Sequence, residues 1–145
     1  ARYTESAEAY ARNMDRLARK HESAREALPE PVVDESGQPA ALIAFGSTDF
    51  AVAEARDLMK EQRLEVDYLR VRALPLHESI KGFVERHERV YVVEQNRDGQ
   101  LYDLLRVFLP PELSARLRSI RHYDGQPIPA EAIARPLAEL EAVPA

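Results

Sequence analysis

Apolar residues change period along the chain, and the changes divide it into elements. From residue 6 to 28 they recur at spacings of three, four and seven, with Tyr10, Met14, Leu17, His21, Ala24 and Leu28 on one narrow seam. This pattern predicts a single amphipathic helix. The remaining surface of that helix is charged, with Asp15 and Arg19 one turn apart, and Pro29 and Pro31 end it. The seam is thin for a helix buried in its own domain and suits docking along another surface. LPEPVVDESGQPA then reads as a linker with one short strand at Val32-Val33.

From Ala40 onward, short apolar runs alternate with helical stripes. Ala41 to Phe45 is continuously apolar and stops at Gly46. A helix over Thr48–Gln62 carries Val52, Ala55, Leu58 and Met59 inward, and Val66 to Leu74 forms a second strand. Residues 77–87 form a helix with Ile80, Phe83 and Val84 inward, followed by a strand at Val90–Val93. The next helix carries Leu101, Leu104, Leu105 and Phe108, and Pro110-Pro111 break it. Ser119–Tyr123 reads as a further strand, and a short helix interrupted at Pro136 closes the chain. Strands alternating with helices of this length indicate βαβ units and a parallel sheet.

Burial patterns order the strands. Ala41–Phe45 and Val90–Val93 are apolar on both faces, as central parallel strands must be. The strand at 66–74 alternates Leu69, Val71 and Ala73 with Tyr68, Arg70 and Arg72, and the last strand sets Arg121 beside Ile120. Both alternating strands therefore flank the two apolar ones. If the apolar strands are neighbours, the chain reverses direction between them. Open α/β sheets bind ligands or partners at such a switch point, beyond the carboxyl ends of the strands. Two loops would face that crevice: Gly46-Ser47-Thr48-Asp49, and Glu94-Gln95-Asn96-Arg97-Asp98-Gly99-Gln100.

Composition narrows the chemistry. At 145 residues about two-thirds of the unfolded surface can be buried, enough for one domain's core. A net charge of −5 argues against capture of nucleic acid, which needs a concentrated basic face. No apolar run approaches a membrane span. The chain has no cysteine, which excludes disulfides and any iron–sulfur cluster held by this chain alone; a cytoplasmic setting is the default expectation.

Within the first loop, Gly46 permits a tight turn, and Ser47, Thr48 or Asp49 can cap the helix. A helix N-terminus there could hold a phosphate or carboxylate, but capping preference alone explains the residues. No GxGxxG or GxxxxGK[ST] pattern supports a nucleotide cradle. In the heptapeptide, Asn96 or Asp98 can cap the following helix, Gly99 can occupy its first turn and Gln100 can face outward. Capping does not require Glu94, Gln95 and Arg97 as well. Glu94 is expected at the strand tip, pointing into the crevice or pairing with Arg97. A structural loop and a contact surface both fit, because loops at this position so often carry function. A catalytic carboxylate lacks a second acid, His or nucleophile nearby in sequence. His21, His77, His87 and His122 have no metal-ligand spacing; His21 reads as a packing histidine, and His77 as a flank or cap of a helix start.

Read together, Ala44-Phe45-Gly46-Ser47-Thr48, the run Tyr68 to Pro75, and Arg89 to Leu101 with its EQNRDGQL core resemble one family. It is the α subunit of the 2-oxoacid:ferredoxin oxidoreductases, in its C-terminal portion, and the 2-oxoglutarate type most closely. Arg2-Tyr3-Thr4-Glu5 and Arg12 to Leu17 resemble the segment joining that subunit's thiamine-type domain to its last domain, so the resemblance covers nearly the whole chain. One departure is Arg63, where a turn glycine is common.

The resemblance implies a transketolase C-terminal-like fold. This is a three-layer α/β/α domain with an open, mostly parallel sheet of about five strands, one short antiparallel strand (Val32-Val33) and a preceding N-terminal helix. It divides the chain into 1–39, a helix and linker from a preceding domain, and 40–145, the α/β domain. It also implies the whole enzyme's reaction: oxidative decarboxylation of a 2-oxoacid to acyl-CoA and CO2, with thiamine diphosphate, Mg, an iron–sulfur cluster, coenzyme A and ferredoxin. The chain lacks the Gly-Asp-Gly…Asn diphosphate motif and any cluster cysteine. It is therefore expected to be the inactive tail of a larger subunit, binding no cofactor alone and serving docking to other domains of that subunit and to the β subunit. Neither nucleic acid nor membrane is an expected partner. The alternative is an independent flavodoxin-like module that captures a small anion or a protein through the two loops.

Overall fold

The computed structural model describes Tyr3 and residues 5–142; Ala1, Arg2, Thr4 and residues 143–145 lie outside the described residues. Among them the chain order is α1 (Ala7–Ala27), β1 (Val32–Asp34), β2 (Ala40–Phe45), α2 (Thr48–Glu61), β3 (Asp67–Val71) and α3 (Ser79–Glu85). It continues with β4 (Arg89–Glu94), α4 (Gln100–Phe108), α5 (Pro111–Ser114), β5 (Leu117–Arg121) and α6 (Glu131–Glu141). The sheet order is β1-β3-β2-β4-β5. β2 and β4 are parallel neighbours, with Ala41 opposite Val90 and Ala44 opposite Val93. β3 and β5 flank them in parallel, and β1 adds antiparallel to the outside of β3. The α/β fold expected from the alternation is present, and so is the single antiparallel strand that the resemblance implies.

Period-two alternation within doubly buried strands divides the core between two faces. Leu42, Ala44, Tyr91 and Val93 face α2 and α6 through Val52, Ala55, Met59, Ile133 and Leu137. Ala41, Ile43, Val90 and Val92 face α3, α4 and α5 through Ile80, Phe83, Leu101, Leu105 and Leu113. The result is three layers, with the sheet in the middle.

Several elements differ in extent from the sequence reading. β3 stops at Val71, and the backbone from Arg72 to Leu74 leaves the sheet. β5 begins two residues early, because Leu117 and Ile120 are its buried positions and His122 and Tyr123 lie past its end. Pro111 opens the short helix α5 as well as following α4, since a proline at the first helical position forfeits no hydrogen bond. α6 runs through Pro136 without interruption. Burial of Ile133, Ala134 and Leu137 holds that helix together across the missing donor.

Arg63 occupies the turn that favours glycine. Its φ is 62°, in the left-handed region. It ends α2 with Arg63 N donating to Lys60 O at 3.0 Å and Leu64 N donating to Met59 O at 3.0 Å. This is the paired-bond closure that left-handed residues supply at helix ends.

α1 buries no residue; Tyr10 is 67% exposed, and Met14 and Leu17 are half-exposed. Its far end is tied down: Arg25 bonds Glu78 at 2.8 Å and lies over the Phe108 ring. His21 is exposed, so the packing role expected for it is not present.

Candidate functional site

Both loops leave the carboxyl ends of the central strands and meet there. Gly46 turns the chain at φ 67° between β2 and α2. Ser47 precedes α2 without a side-chain cap. Thr48 is buried, and its Oγ1 accepts from Gln95 Nε2 at 3.1 Å, so the two loops are bonded directly to each other. Gln95 Oε1 accepts from Ile128 N at 3.0 Å, which adds the segment before α6. Asp49, one of the expected caps, instead accepts from the Tyr68 hydroxyl and the Arg70 guanidinium, each at 2.9 Å. Burial, then the bond to Asp49, pushes the Tyr68 hydroxyl far above its ordinary range.

The heptapeptide is a capping device, and the residue that sequence reasoning left out of the cap is central to it. Glu94 is buried and folds back over α4. Its Oε2 accepts from Leu101 N at 2.8 Å and its Oε1 from Tyr102 N at 3.1 Å. Asn96 Oδ1 accepts from Gly99 N at 2.7 Å and Gln100 N at 3.2 Å, while Asn96 Nδ2 donates to Glu94 Oε2. The first intrahelical bond follows at once, from Asp103 N to Gly99 O at 2.9 Å. Two side chains therefore satisfy the N–H groups of Gly99, Gln100, Leu101 and Tyr102, the four that a helix start leaves open.

Glu94 borders the crevice, one of the two expectations for it, but its carboxylate is taken up by α4 and it does not pair with Arg97. Arg97 pairs with its neighbour Asp98 on the surface, at 2.7 Å. Asp98 caps nothing, Gln100 is exposed as expected, and Gly99 at φ 74° is the residue before the helix. A carboxylate at a strand tip that caps a helix six residues on leaves no local sequence signature, which is why it was missed. The usable signal was the left-handed glycine between them.

Between the loops lies an open crevice of about 400 Å³, bordered by Phe45, Gly46, Thr48, Gln95 and Leu101. Its rim carries three apolar side chains, Phe45, Leu74 and Leu104, each more than two-fifths exposed, beside the exposed polar residues Ser47, Gln95 and Gln100. α4 buries Leu101 and Leu105 and turns Leu104 outward.

One further cluster escaped the sequence. Glu35, Asp67 and His87 bring ligand-type atoms within 4.8 Å of one another, at the opposite, amino-terminal end of β3. Every one of these groups already has protein partners. Asp67 accepts from Ser36 N, Gly37 N and Gln38 N at 2.8–3.1 Å and from His87 Nε2 at 3.0 Å. Glu35 receives two bonds from Arg86. A cation there would have to displace His87 and Arg86, so the donor set fits a hydrogen-bonded clamp better than a metal centre. Burial raises the Asp67 pKa, but the N–H groups of Ser36 and Gly37, the His87 ring and the Ser36 hydroxyl outweigh it and hold it below the ordinary value. His77 flanks the start of α3 as expected, its Nδ1 accepting from Ser79 N at 3.2 Å.

Fold and crevice together define a class: a three-layer α/β domain with a switch-point crevice and one antiparallel edge strand. The particular likeness is to oxidoreductase subunits. The chain superimposes on a 2-oxoglutarate:ferredoxin oxidoreductase from Magnetococcus marinus, solved with 2-oxoglutarate, coenzyme A and succinyl-CoA bound, with a TM-score of 0.78 at 21% identity. That match takes in 94% of this chain and 24% of the other, so the chain spans about a quarter of that protein's length. The alpha chain of a probable 2-oxoacid ferredoxin oxidoreductase from Thermoplasma acidophilum also matches, with a TM-score of 0.46, 18% identity, and 77% and 96% of the two chains covered. The first of these, the Magnetococcus marinus enzyme, is the kind of protein that the EQNRDGQL resemblance named. No family model matches the chain, and no curated protein matches it significantly. No helix among the described residues is long and apolar enough to cross a membrane.

Proposed function

We propose that this chain is a domain of a 2-oxoacid:ferredoxin oxidoreductase, of the 2-oxoglutarate type, and that it serves docking within that enzyme rather than its chemistry. The observation that carries the reading is the likeness over 94% of this chain to a quarter of a much longer oxidoreductase chain. In such an assembly, thiamine diphosphate, Mg, the iron–sulfur cluster and coenzyme A belong to the whole enzyme, which passes electrons to ferredoxin. This domain contributes contacts to neighbouring domains and to the β subunit, in a cytoplasmic setting. Support for docking comes from the crevice itself. Glu94, Gln95, Asn96 and Thr48 are bonded within the protein, no pair of titratable side chains is poised for proton transfer, and Phe45, Leu74 and Leu104 are exposed on its rim beside Ser47, Gln95 and Gln100.

The test is made in the whole enzyme. Leu104→Asp is expected to weaken subunit or domain association, read by sedimentation, before turnover per assembled enzyme changes. Intact assembly with a collapsed turnover rate would overturn the docking role. A companion titration of this chain with thiamine diphosphate, coenzyme A and 2-oxoglutarate should show nothing tighter than about millimolar, a binding free energy of about −4 kcal/mol.

A further inference from the structure

A helix start at the carboxyl end of a central strand, entered through a left-handed glycine, is where this architecture ordinarily seats an anion. In this chain α4 has that geometry, with Gly99 at φ 74° and four converging N–H groups. The seat is filled from within. Glu94 takes Leu101 N and Tyr102 N, Asn96 takes Gly99 N and Gln100 N, and the Asn96 amide holds the carboxylate in place. No Lys, Arg or His lines the crevice above it. A second anion would find the first four amides of α4 already bonded and a fixed carboxylate facing it; Arg121, whose side chain packs beside Gly99, is itself turned to the Arg97 carbonyl at 2.8 Å.

We propose that Glu94 is a built-in occupant of this anion seat and the specificity determinant of the crevice. It excludes phosphate- and carboxylate-bearing ligands and leaves the uncharged rim of Phe45, Leu74 and Leu104 to an uncharged partner surface. The second half rests on the docking reading above; the exclusion of anions does not. It follows that the phosphate-bearing cofactors of the proposed enzyme make no use of this helix.

The test uses inorganic phosphate on the full chain and on Glu94→Ala, at constant ionic strength, followed by amide NMR shifts. In the wild type, Leu101 and Tyr102 should show no saturable shift up to tens of millimolar. In Glu94→Ala the same two amides should titrate with millimolar affinity, at least tenfold tighter than in the wild type. Phosphate should then raise the variant's melting temperature by about 3 °C more than the wild type's. Should Glu94→Ala not fold, Glu94→Gln removes the charge while keeping the side chain over α4, and the same excess thermal shift is expected at smaller size. Wild-type phosphate binding at these amides, or no excess shift in a folded variant, overturns the proposal. Because no partner subunit is present, this result is separate from the fate of the docking reading.

Discussion

His87 Nε2 lies 3.0 Å from Asp67 Oδ2, with both side chains shut off from water. The other ring nitrogen, Nδ1, faces Phe83 O at 2.7 Å. Both ring nitrogens are therefore within hydrogen-bond distance of a partner. The pair ties the end of α3 to the start of β3, and Asp67 in turn gathers the backbone of residues 36–38 between β1 and β2. Removing the ring leaves a buried carboxylate short of a donor and deletes the packing against Phe83. His87→Ala should therefore cost about 3 kcal/mol, measured by urea unfolding.

The same carboxylate sets an acid limit. The folded-state pKa of Asp67 is below its unfolded value, so its contribution is complete above about pH 4 and is lost as pH falls through the folded value. Glu141 acts in the same direction: burial raises its pKa, and the bonds from Arg89 and Tyr91 overcome that and lower it. Unfolding free energy should be flat from pH 7 to about 5 and fall steeply below about 4. Asp67→Asn should flatten the acid limb; an unchanged limb would remove Asp67 from this account.

Arg63 holds a left-handed conformation that disfavours any side chain by roughly 1–2 kcal/mol. Glycine takes it freely but loses more entropy on folding, so Arg63→Gly should stabilise the chain by about 0.5–1 kcal/mol. The Arg63 side chain is exposed, which keeps other contributions small. Thermal unfolding checks the sign.

Pro136 lies inside α6, where it removes a backbone donor. Pro136→Ala should restore that bond and raise stability by about 1–3 kcal/mol. The gain is visible as an added protected amide in hydrogen exchange.

Half-exposed Leu104 and fully outward Val107 contribute little to the fold itself. Leu104→Asp should change unfolding free energy by no more than about 0.5 kcal/mol. This matters for the assembly test, because any loss of association then reflects the surface rather than a damaged monomer.

The sheet was legible because its two central strands are apolar on both faces and its neighbours are not. β2 and β4 announce themselves as residues 41–45 and 90–93, and the switch point between them follows. The crevice was legible as a place. Its internal wiring was not. Glu94 reaches forward to amides at Leu101 and Tyr102, and Gln95 reaches back to Thr48, contacts that depend on loop geometry rather than on spacing. The Asp67–His87 pair was hidden for a related reason: the residues are distant in sequence, and only the parallel pairing of β2 with β3 and β4 brings them together. The seam of α1 was read correctly as periodic, yet periodicity could not tell that His21 would stay in water.

Both margins of the sheet are poor templates for another strand. β1 is three residues long and carries Asp34, which is engaged by Arg56 at 2.6 Å, while β5 turns Arg118 and Arg121 outward. Short, charged margins discourage edge-to-edge extension. A neighbouring chain is thus denied the simplest route of attachment, lengthening the ladder by backbone pairing. It is directed to side-chain surfaces instead, which makes association here a matter of particular residues and open to change by single substitutions.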